Sequence, residues 1–461
     1  MEVEAHVFRE YDIRGIVGVD FSPDLVREVG RAYGTALRQA PAHVGVNGQP
    51  PRVAVGNDNR PSSPELAAAM VEGLRSAGVT ALLLGTVPTP VAYWSESALD
   101  TDGVIQITGS HNPPEWNGIK LTLGGRPFYG EDIQGLRRRI EEGDYFTGSG
   151  EERAEPVLDR YVDDLAGRIE LVRPVRAVVD CGNGVGAVVA VRLLERIGVQ
   201  VTPLFCESDG TFPNHHPDPT VDENLEDLIR TVRETGSEVG IAFDGDADRI
   251  GVVDDRGRIV RGDILLLLFG LDLIARRGPG HLLIHDVKCS QLVSDLYEEA
   301  GGRSLMWKTG HSLIKEKMRE TGALLGGELS GHICFADEFI GSDDALYAAC
   351  RLVRMIAELP GSFSEHVAGI PAFASTPEIR IEVTEESKTR IVRDAVEFFR
   401  SRHDVVDVDG VRILFGDGWG LLRSSNTQPV IVARFEARTP ERLTEIQAEV
   451  MDWLATQGVH V

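Results

Sequence analysis

The stretch RVAVGNDNRPSSPELAAAMVEGLRSAGVTALLL, residues 52–84, decides the fold class of this chain. Its first five residues, 52–56, have the composition of a buried strand, and a polar loop follows them. Residues 64–77 then have the pattern of an amphipathic helix, which Gly78 ends before a second strand at 80–84. A strand, loop, helix, glycine and strand in this order are typical of a β-α-β crossover. The stretch therefore predicts an α/β domain.

The same unit recurs twice farther along the chain. It recurs with strands at 177–180 and 199–204, and again with strands at 282–285 and 304–307, each pair separated by a loop, a helix and a glycine. After residue 372 the order changes to a smaller mixture of strands and helices. The predicted fold class is therefore α/β, with three mixed-sheet domains of similar topology and a smaller C-terminal α+β domain. The predicted domains are 1–150, 151–256, 257–368 and 369–461, with junctions expected at 141–155, 254–262 and 359–372.

Composition restricts the partners. The chain of 461 residues has 47 Lys and Arg against 72 Asp and Glu, a net charge of -25. This charge repels nucleic acid and anionic lipid, so an anionic substrate needs a local basic pocket. The sequence has no recognisable signal peptide and no apolar run of ~18 residues, which predicts a cytoplasmic protein without a membrane span. The five cysteines show no C-x-x-C spacing, and we expect them to be reduced.

The stretch GVIQITGSHNPP, residues 103–114, is the first that carries candidate chemistry. A β-branched run ends at Gly109 and Ser110, and two prolines prevent the chain from continuing directly into a helix. We therefore expect Ser110 to lie on an exposed loop tip. A serine there, with His111 beside it and Lys120 ten residues on, can carry a phosphoryl or acyl group. A turn serine more often bonds its own backbone, so this loop alone does not decide the chemistry.

Three aspartates, Asp244, Asp246 and Asp248, alternate in a short loop between two apolar runs. Carboxylates in a tight loop can turn to one point, and their combined charge requires a cation, for which Mg²⁺ is the expected choice. An EF-hand is excluded, because Arg249 and Asp255 occupy the positions that need Gly and Glu. Arg249, directly after the third aspartate, is suited to a phosphate. A phosphatase with Asp244 as nucleophile and a solvated acidic hairpin remain alternatives.

Two further loops are rich in polar side chains. A glycine-rich loop presents Glu328 and Ser330 two positions apart, so in an extended loop both face one side and can hold neighbouring sugar hydroxyls. The loop RSSNTQP, residues 423–429, combines an arginine with hydroxyl and amide groups that can bind a phosphate. Both patterns also occur in ordinary turns. Lys288 and His311 lie at predicted strand ends, where open α/β sheets bind ligands.

Taken in order along the chain, these four loops resemble those of the α-D-phosphohexomutase superfamily. The resemblance runs essentially end to end, and residues 108–113 together with 244–249 are highly specific as a pair. Three further stretches are similar to bacterial phosphomannomutase/phosphoglucomutase, namely 11–15, 307–314 and 327–332. Leu329 stands where the phosphoglucosamine mutase branch usually has Gln, and Gln428 stands where many members have Glu.

The resemblance implies a heart-shaped, four-domain protein with its active site in a central cleft. It implies one Mg²⁺ per chain, with Ser110 held as a phosphoserine. The implied metal ligands are Asp244, Asp246, Asp248 and an oxygen of the Ser110 phosphate. The implied catalytic residues are Ser110, Arg249, Lys120, His332 and Arg14, with Lys120 and His332 as candidates for general acid and base. The implied substrate-binding residues are Glu328, Ser330, Lys288, His311, Arg423, Ser425, Asn426 and Thr427.

The implied activity is the interconversion of hexose 1-phosphates and hexose 6-phosphates of mannose, glucose or both. It proceeds through a phosphoserine enzyme and a hexose 1,6-bisphosphate, which also serves as activator. The expected partners are hexose phosphates, without nucleic acid or membrane, and the expected state is a monomer or weak dimer. The alternatives are a phosphoglucosamine mutase, a metal-dependent sugar phosphatase with Asp244 as nucleophile, and a sugar-phosphate sensor without turnover.

Overall fold

The first domain is built on a seven-stranded sheet. The fold is that of a computed structural model, which describes residues 3–40, 50–425 and 428–459. The sheet has the order β1-β5-β4-β2-β3-β7, with β6 beside β5, and β2, β3, β4 and β7 run parallel. Its elements are β1 (Ile13–Ile16), α1 (Pro23–Gln39), β2 (Arg52–Asn57), α2 (Ser63–Ser76), β3 (Thr80–Thr86), α3 (Thr89–Ala98), β4 (Gly103–Ile107), β5 (Trp116–Leu123), β6 (Arg126–Pro127), α4 (Glu131–Glu142) and β7 (Glu152–Ala154). The segment 141–155, predicted as a linker, thus contains an edge strand.

The second domain has a five-stranded sheet of order β12-β11-β10-β8-β9. Its elements are α5 (Leu158–Arg168), β8 (Arg176–Asp180), α6 (Ala190–Arg196), β9 (Gln200–Leu204), α7 (Glu226–Thr235), β10 (Val239–Phe243), β11 (Ile250–Asp254) and β12 (Ile259–Val260). The third has a four-stranded sheet of order β14-β13-β15-β16. Its elements are α8 (Gly262–Arg277), β13 (Leu282–Asp286), α9 (Gln291–Glu299), β14 (Arg303–Trp307), α10 (His311–Thr321), β15 (Leu325–Gly327), β16 (Ile333–Phe335), α11 (Ala345–Glu358) and α12 (Phe363–Ala368).

One four-strand arrangement is common to these three domains. The strands lie in the orders β3-β2-β4-β5, β9-β8-β10-β11 and β14-β13-β15-β16, and in each the first three are parallel and the last is antiparallel. The glycines predicted to end the crossover helices, Gly78, Gly198 and Gly301, have φ values of 71°, 97° and 94°. Glycine adopts this left-handed conformation without steric cost. The predicted three similar α/β domains are therefore confirmed.

The fourth domain is a mainly antiparallel sheet with two helices. Its strands follow the order β17-β22-β21-β20-β19, with β18 beside β22. Its elements are β17 (Ala374–Ser375), β18 (Ile379–Glu382), α13 (Glu385–Arg400), β19 (Asp404–Val406), β20 (Val411–Leu414), β21 (Gly418–Ser424), β22 (Val430–Ala437) and α14 (Pro440–Thr456). The predicted α+β domain is confirmed.

Packing separates the fourth domain from the rest. A large apolar cluster combines side chains of the second and third domains with some of the first, whereas the fourth domain has its own cluster. A small cluster of Val287, Trp419 and Leu421 joins it to the third domain. Within the described ranges, no helix is long and apolar enough to cross a membrane.

Candidate active site

The three α/β domains bring equivalent loops together. The loops β4–β5, β10–β11 and β15–β16 each follow the third parallel strand of their sheet and turn back into the antiparallel one. Ser110 Oγ of the first loop lies 3.2 Å from Asp244 Oδ2 of the second. Arg249 Nε of the second loop lies 2.9 Å from His332 Nε2 of the third. Three of the four predicted loops therefore meet at one point.

The serine loop has a constrained backbone. Ser110 has a φ of 51°, its N–H donates to Thr108 Oγ1 at 2.9 Å, and its Oγ lies 3.1 Å from His111 Nδ1. Ser110 is only 3% exposed, so the prediction of an exposed loop tip is wrong. The reason is the second domain, whose Gly245 packs so closely that a β-carbon there would lie 2.4 Å from the Ser110 carbonyl oxygen.

Arg60, from the polar loop after β2, holds the serine loop in shape. The buried guanidinium donates to the backbone carbonyls of Ser110 at 2.7 Å, Asn112 at 2.6 Å, Pro113 at 2.5 Å and Trp116 at 3.1 Å. Its Nε also donates to Asp58 at 3.1 Å. This arginine was not predicted from the sequence as a site residue. Its position in the polar loop of the first crossover unit was the one available signal.

The acidic loop forms a buried carboxylate cluster. Asp244, Asp246 and Asp248 are fully buried, with one oxygen from each within 4.8 Å of the others. Asp246 Oδ1 and Asp248 Oδ1 have no hydrogen-bond partner among the described residues. Oxygen ligands of this number and charge suit a hard divalent cation. The unbonded oxygens therefore fit the Mg²⁺ that the sequence predicts. Thr89 Oγ1 donates to Asp246 Oδ2 at 2.5 Å, a hydrogen bond to the cluster that was not predicted from the sequence.

Lys120 lies against the same carboxylates. Its Nζ is 2.8 Å from Asp246 Oδ2 and also contacts Asp248. Although burial opposes its charge, the two aspartates raise the pKa of Lys120 well above its usual value. Burial and repulsion from Asp246 and Asp248 raise the pKa of Asp244. The cluster thus holds more negative charge than Lys120 alone neutralises, which also favours a cation.

A histidine pair lies on the other side of Asp248. The rings of His311 and His332 stack at 5.1 Å between centroids, and their Nδ1 atoms lie 2.9 Å and 3.3 Å from Asp343 Oδ2. Lys315 donates to the other oxygen of Asp343 at 2.7 Å. Burial lowers the pKa of His311 to about 4. Asp343 and Lys315 were not identified from sequence, because neither lies in a polar loop with a recognisable pattern.

The tautomer of His332 follows from its neighbour. Arg249 can only donate, so His332 Nε2 accepts its hydrogen bond and the ring proton lies on Nδ1, toward Asp343. Glu328, four residues before His332, is buried and accepts from the N–H of Gly310 at 2.6 Å. Ser330 of the same loop is partly exposed. The third loop therefore presents a buried carboxylate beside a more accessible hydroxyl.

Two other predicted residues lie in ion pairs near the loops. Arg14, on β1, donates to Asn112 Oδ1 at 2.9 Å and to Asp12 at 2.5 Å. Lys288 donates to Glu378 at 2.6 Å, which links the third domain to the fourth. Attraction to Lys288 lowers the pKa of Glu378 to about 2.

The predicted phosphate-binding segment, residues 423–429, belongs to the fourth domain. Arg423 Nε donates to Asp409 Oδ2 at 2.9 Å, and the same oxygen accepts from the N–H of Thr309 in the third domain at 3.0 Å. Ser425 Oγ accepts from the N–H of Gln428 at 3.2 Å. The predicted phosphate ligands Asn426 and Thr427 lie outside the described residues. Arg423 therefore already has an anionic partner, which a phosphate would have to displace or share.

Comparison with known proteins agrees with this architecture. Four phosphoglucomutase/phosphomannomutase family models match: alpha/beta/alpha domain I over residues 5–146, domain II over 159–257, domain III over 261–373 and the C-terminal domain over 378–452. Together they account for most of the chain in the order of its four sheets.

Individual relatives match over nearly the full length. The chain is 46% identical to a phosphomannomutase/phosphoglucomutase of Pseudomonas aeruginosa over 448 residues, which cover 96% of this chain and 94% of that protein. It is 41% identical to a phosphoglucomutase of Neisseria gonorrhoeae, covering 96% and 95%. A crystal structure of a phosphoglucomutase/phosphomannomutase family protein from Burkholderia thailandensis superposes with a TM-score of 0.92 at 41% identity, covering 100% of this chain and 99% of that one.

The fold, the meeting of the three loops and these full-length matches confirm the resemblance read from the sequence. The chain belongs to the phosphoglucomutase/phosphomannomutase family, whose members are intramolecular phosphotransferases of the isomerase class.

Proposed function

We propose that this chain interconverts the 1-phosphates and 6-phosphates of mannose, glucose or both, with Ser110 as the phosphoryl carrier. The contact of Ser110 Oγ with Asp244 Oδ2 at 3.2 Å carries the proposal. The serine hydroxyl thus lies at the edge of a buried acidic cluster that suits a divalent cation. Lys120 contacts this cluster directly, and Arg249 is near enough to attract Asp244 and Asp248. Phosphoryl transfer depends mainly on such positioning and charge neutralisation.

Mg²⁺, one per chain, would be held by Asp244, Asp246, Asp248 and an oxygen of the Ser110 phosphate. When bound it would neutralise the charge of the transferring phosphoryl group. Side chains of the protein position the serine loop. Arg60 keeps the Ser110 carbonyl in place, and Arg14 fixes Asn112 of the same loop.

In the first half-reaction, the free hydroxyl of a bound hexose phosphate attacks the phosphorus, and the bond to Ser110 Oγ breaks. The hydroxyl proton passes to a base, and Ser110 Oγ regains a proton from an acid. His332 and Lys120 are the candidates. His332 Nε2 is occupied by Arg249 in this structure. A substrate phosphate that attracts Arg249 would free Nε2 as a proton acceptor, with Asp343 steadying the opposite side of the ring.

The bisphosphate then reverses its orientation, and its other phosphate returns to Ser110. Glu328 and Ser330 would hold sugar hydroxyls that occupy similar places in both orientations. The phosphate that does not react would bind to a second group of residues: Arg423, Ser425, Asn426 and Thr427, assisted by Lys288 and His311. Asp409 holds Arg423 before the phosphate arrives.

The proposal also covers the activator, the cellular location, the oligomeric state and the domain bounds. A hexose 1,6-bisphosphate activates the chain by phosphorylating Ser110. The chain acts in the cytoplasm as a monomer or weak dimer, and its functional domains are 1–150, 151–256, 257–368 and 369–461.

The deciding experiment is intact-protein mass and peptide mapping before and after incubation with glucose 1,6-bisphosphate and Mg²⁺. One phosphoryl group on Ser110, absent from Ser110→Ala and retained in Ser76→Ala, supports the proposal. Ser76 is a suitable control because its hydroxyl bonds Gly73 within α2, away from the loops. Phosphate on Asp244 would instead favour a sugar phosphatase, and an unlabelled chain would overturn the mutase mechanism.

A substrate panel tests specificity. Mannose 1-phosphate, glucose 1-phosphate or both should be converted with a much higher kcat/KM than glucosamine 1-phosphate. Faster turnover of glucosamine 1-phosphate would assign the chain to the phosphoglucosamine mutases.

A further inference from the structure

Two cysteines of the second domain lie side by side. Cys181 follows β8 and Cys206 lies two residues after β9, the neighbouring parallel strand. Both are free thiols, and their sulfur atoms are 2.7 Å apart. Cys181 is fully buried, whereas Cys206 is partly exposed. A disulfide has a sulfur separation of about 2.05 Å, so the two atoms need to approach by only about 0.7 Å.

We propose that Cys181 and Cys206 are a reversible redox site, which hydrogen peroxide oxidises to a disulfide, and that this disulfide slows the mutase reaction. The partly exposed Cys206 reacts first. Its thiolate attacks the peroxide O–O bond, giving a sulfenic acid and releasing the other oxygen as water after protonation. Cys181 then attacks that sulfur and a second water leaves. Two thiols are oxidised and one peroxide is reduced to two waters.

The environment of the pair favours this order. The hydrogen bond between the two sulfur atoms lowers the pKa of Cys206, and the same contact, together with burial, raises the pKa of Cys181. Reaction with peroxide requires a thiolate and access, and Cys206 has the advantage in both. The other three cysteines are buried, and none has a sulfur contact with another cysteine among the described residues.

The loops that follow the two cysteines support the active-site loops. After Cys181, Gly184 packs on Gly245 of the acidic loop, so that a β-carbon on Gly184 would lie 2.8 Å from the Gly245 carbonyl oxygen. The N–H of Val185 donates to that oxygen at 3.0 Å. Gly245 in turn lies against the carbonyl of Ser110. A shift at Cys181 is therefore passed directly to the acidic and serine loops.

Both loops reach the segment that contains Arg60, the first through Asn183 and the second through Phe212. The N–H of Asn183 donates to Phe205 O at 2.9 Å, and Asn183 O accepts from Asn59 at 2.8 Å. Asn59 precedes Arg60, whose guanidinium lies over the ring of Phe212 at 5.0 Å. Drawing the sulfurs together moves both loops against groups that position Ser110. Because displacements of about 1 Å can cost about 100-fold in rate, we expect the disulfide to lower kcat by at least about tenfold.

The test uses the full-length, Mg²⁺-loaded protein. It is reduced, treated with hydrogen peroxide, blocked with N-ethylmaleimide and mapped without reduction, while mutase activity is followed. We expect a cross-linked peptide pair containing Cys181 and Cys206, a fall from five titratable thiols to three, and a drop in kcat that dithiothreitol reverses. Cys206→Ser keeps a hydroxyl donor at the site and should retain activity in peroxide.

Control variants distinguish oxidation of Cys181 and Cys206 from oxidation elsewhere in the chain. Cys350→Ala removes a buried thiol of α11 and should behave as the parent chain, with the same cross-link and the same reversible loss. Cys181→Ala is a second variant without the pair, in case Cys206→Ser folds poorly. Absence of the cross-linked peptides would overturn the redox site. A complete cross-link with unchanged kcat, or the same loss in Cys206→Ser, would overturn its coupling to catalysis.

Discussion

Arg60 donates a hydrogen bond to the backbone carbonyl of Ser110 at 2.7 Å, although the two residues are fifty positions apart. With three more carbonyls of the same loop as acceptors, the guanidinium replaces the regular backbone pairing that a tight loop lacks. The orientation of the candidate nucleophile therefore depends on a side chain that does not need to touch the substrate.

Arg60→Lys should lower kcat by about 100-fold with little change in KM. Lysine keeps the charge beside Asp58, but one ammonium cannot reach all four carbonyls, and a misplaced serine loses alignment. Steady-state kinetics with glucose 1-phosphate measure the effect. Arg38→Lys is the matched control, because Arg38 also donates to two backbone carbonyls, of Ala77 and Gly78, away from the site. Equal losses in both variants would contradict a specific role for Arg60.

Thr89→Val should weaken Mg²⁺ binding by about 10-fold to 100-fold while leaving all three aspartates in place. Valine preserves the shape of threonine but removes the hydroxyl that donates to Asp246 Oδ2. Titration calorimetry and the Mg²⁺ concentration for half-maximal activity give the measurement. Thr122→Val, which removes a similar bond to Glu96, should leave the affinity unchanged. Normal Mg²⁺ affinity in Thr89→Val would show that the hydrogen bond from Thr89 to Asp246 does not affect Mg²⁺ binding.

Asp343→Asn should lower kcat by about 100-fold or more, because both histidines lose the charge that faces their Nδ1 atoms. It should also destabilise the chain by about 3–5 kcal/mol, since Lys315 is left buried without its partner. Activity is therefore measured per folded molecule, after circular dichroism. The neighbouring Asp344→Asn, which does not face the histidines, should keep its activity. A folded Asp343→Asn with normal kcat would remove Asp343 from the mechanism.

Asp344→Asn should stabilise the chain at alkaline pH. Burial raises the pKa of Asp344 to about 7. Between about pH 4 and pH 7 the folded state keeps a proton that the unfolded state has lost, so stability falls as pH rises through this range and is constant above it. Above about pH 7 the ionised Asp344 lowers the free energy of unfolding by about 4 kcal/mol. Asparagine removes it while its oxygen still accepts from Tyr161 and Tyr347.

Thermal unfolding of Asp344→Asn and the parent chain at pH 5, 6.5 and 8 tests this prediction. The difference in Tm should grow in favour of the variant as pH rises. A difference independent of pH would mean that Asp344 is ionised in the folded protein.

Local patterns predicted much of the fold, because strand and helix formation depend on nearby residues. Gly78, Gly198 and Gly301 follow the ends of the crossover helices where expected, with left-handed backbones that other residues adopt only at a steric cost. The alternating Asp244, Asp246 and Asp248 indicated a cation site because three neighbouring carboxylates cannot be buried together without a counter-charge. Each of these signals comes from residues that are close together in the sequence.

Tertiary packing alone decided which groups meet. Ser110 is buried rather than exposed because the acidic loop, more than 130 positions away in the chain, closes over it. The long-range contacts of Arg60, Thr89 and Asp343, and the contact of Cys181 with Cys206, could not be predicted from the residues next to them in the sequence. The sequence by itself determined the elements and the chemical character of each loop. The common strand order of three sheets, and the packing between their domains, determined that the loops form one site, because distances across domains depend on the whole core.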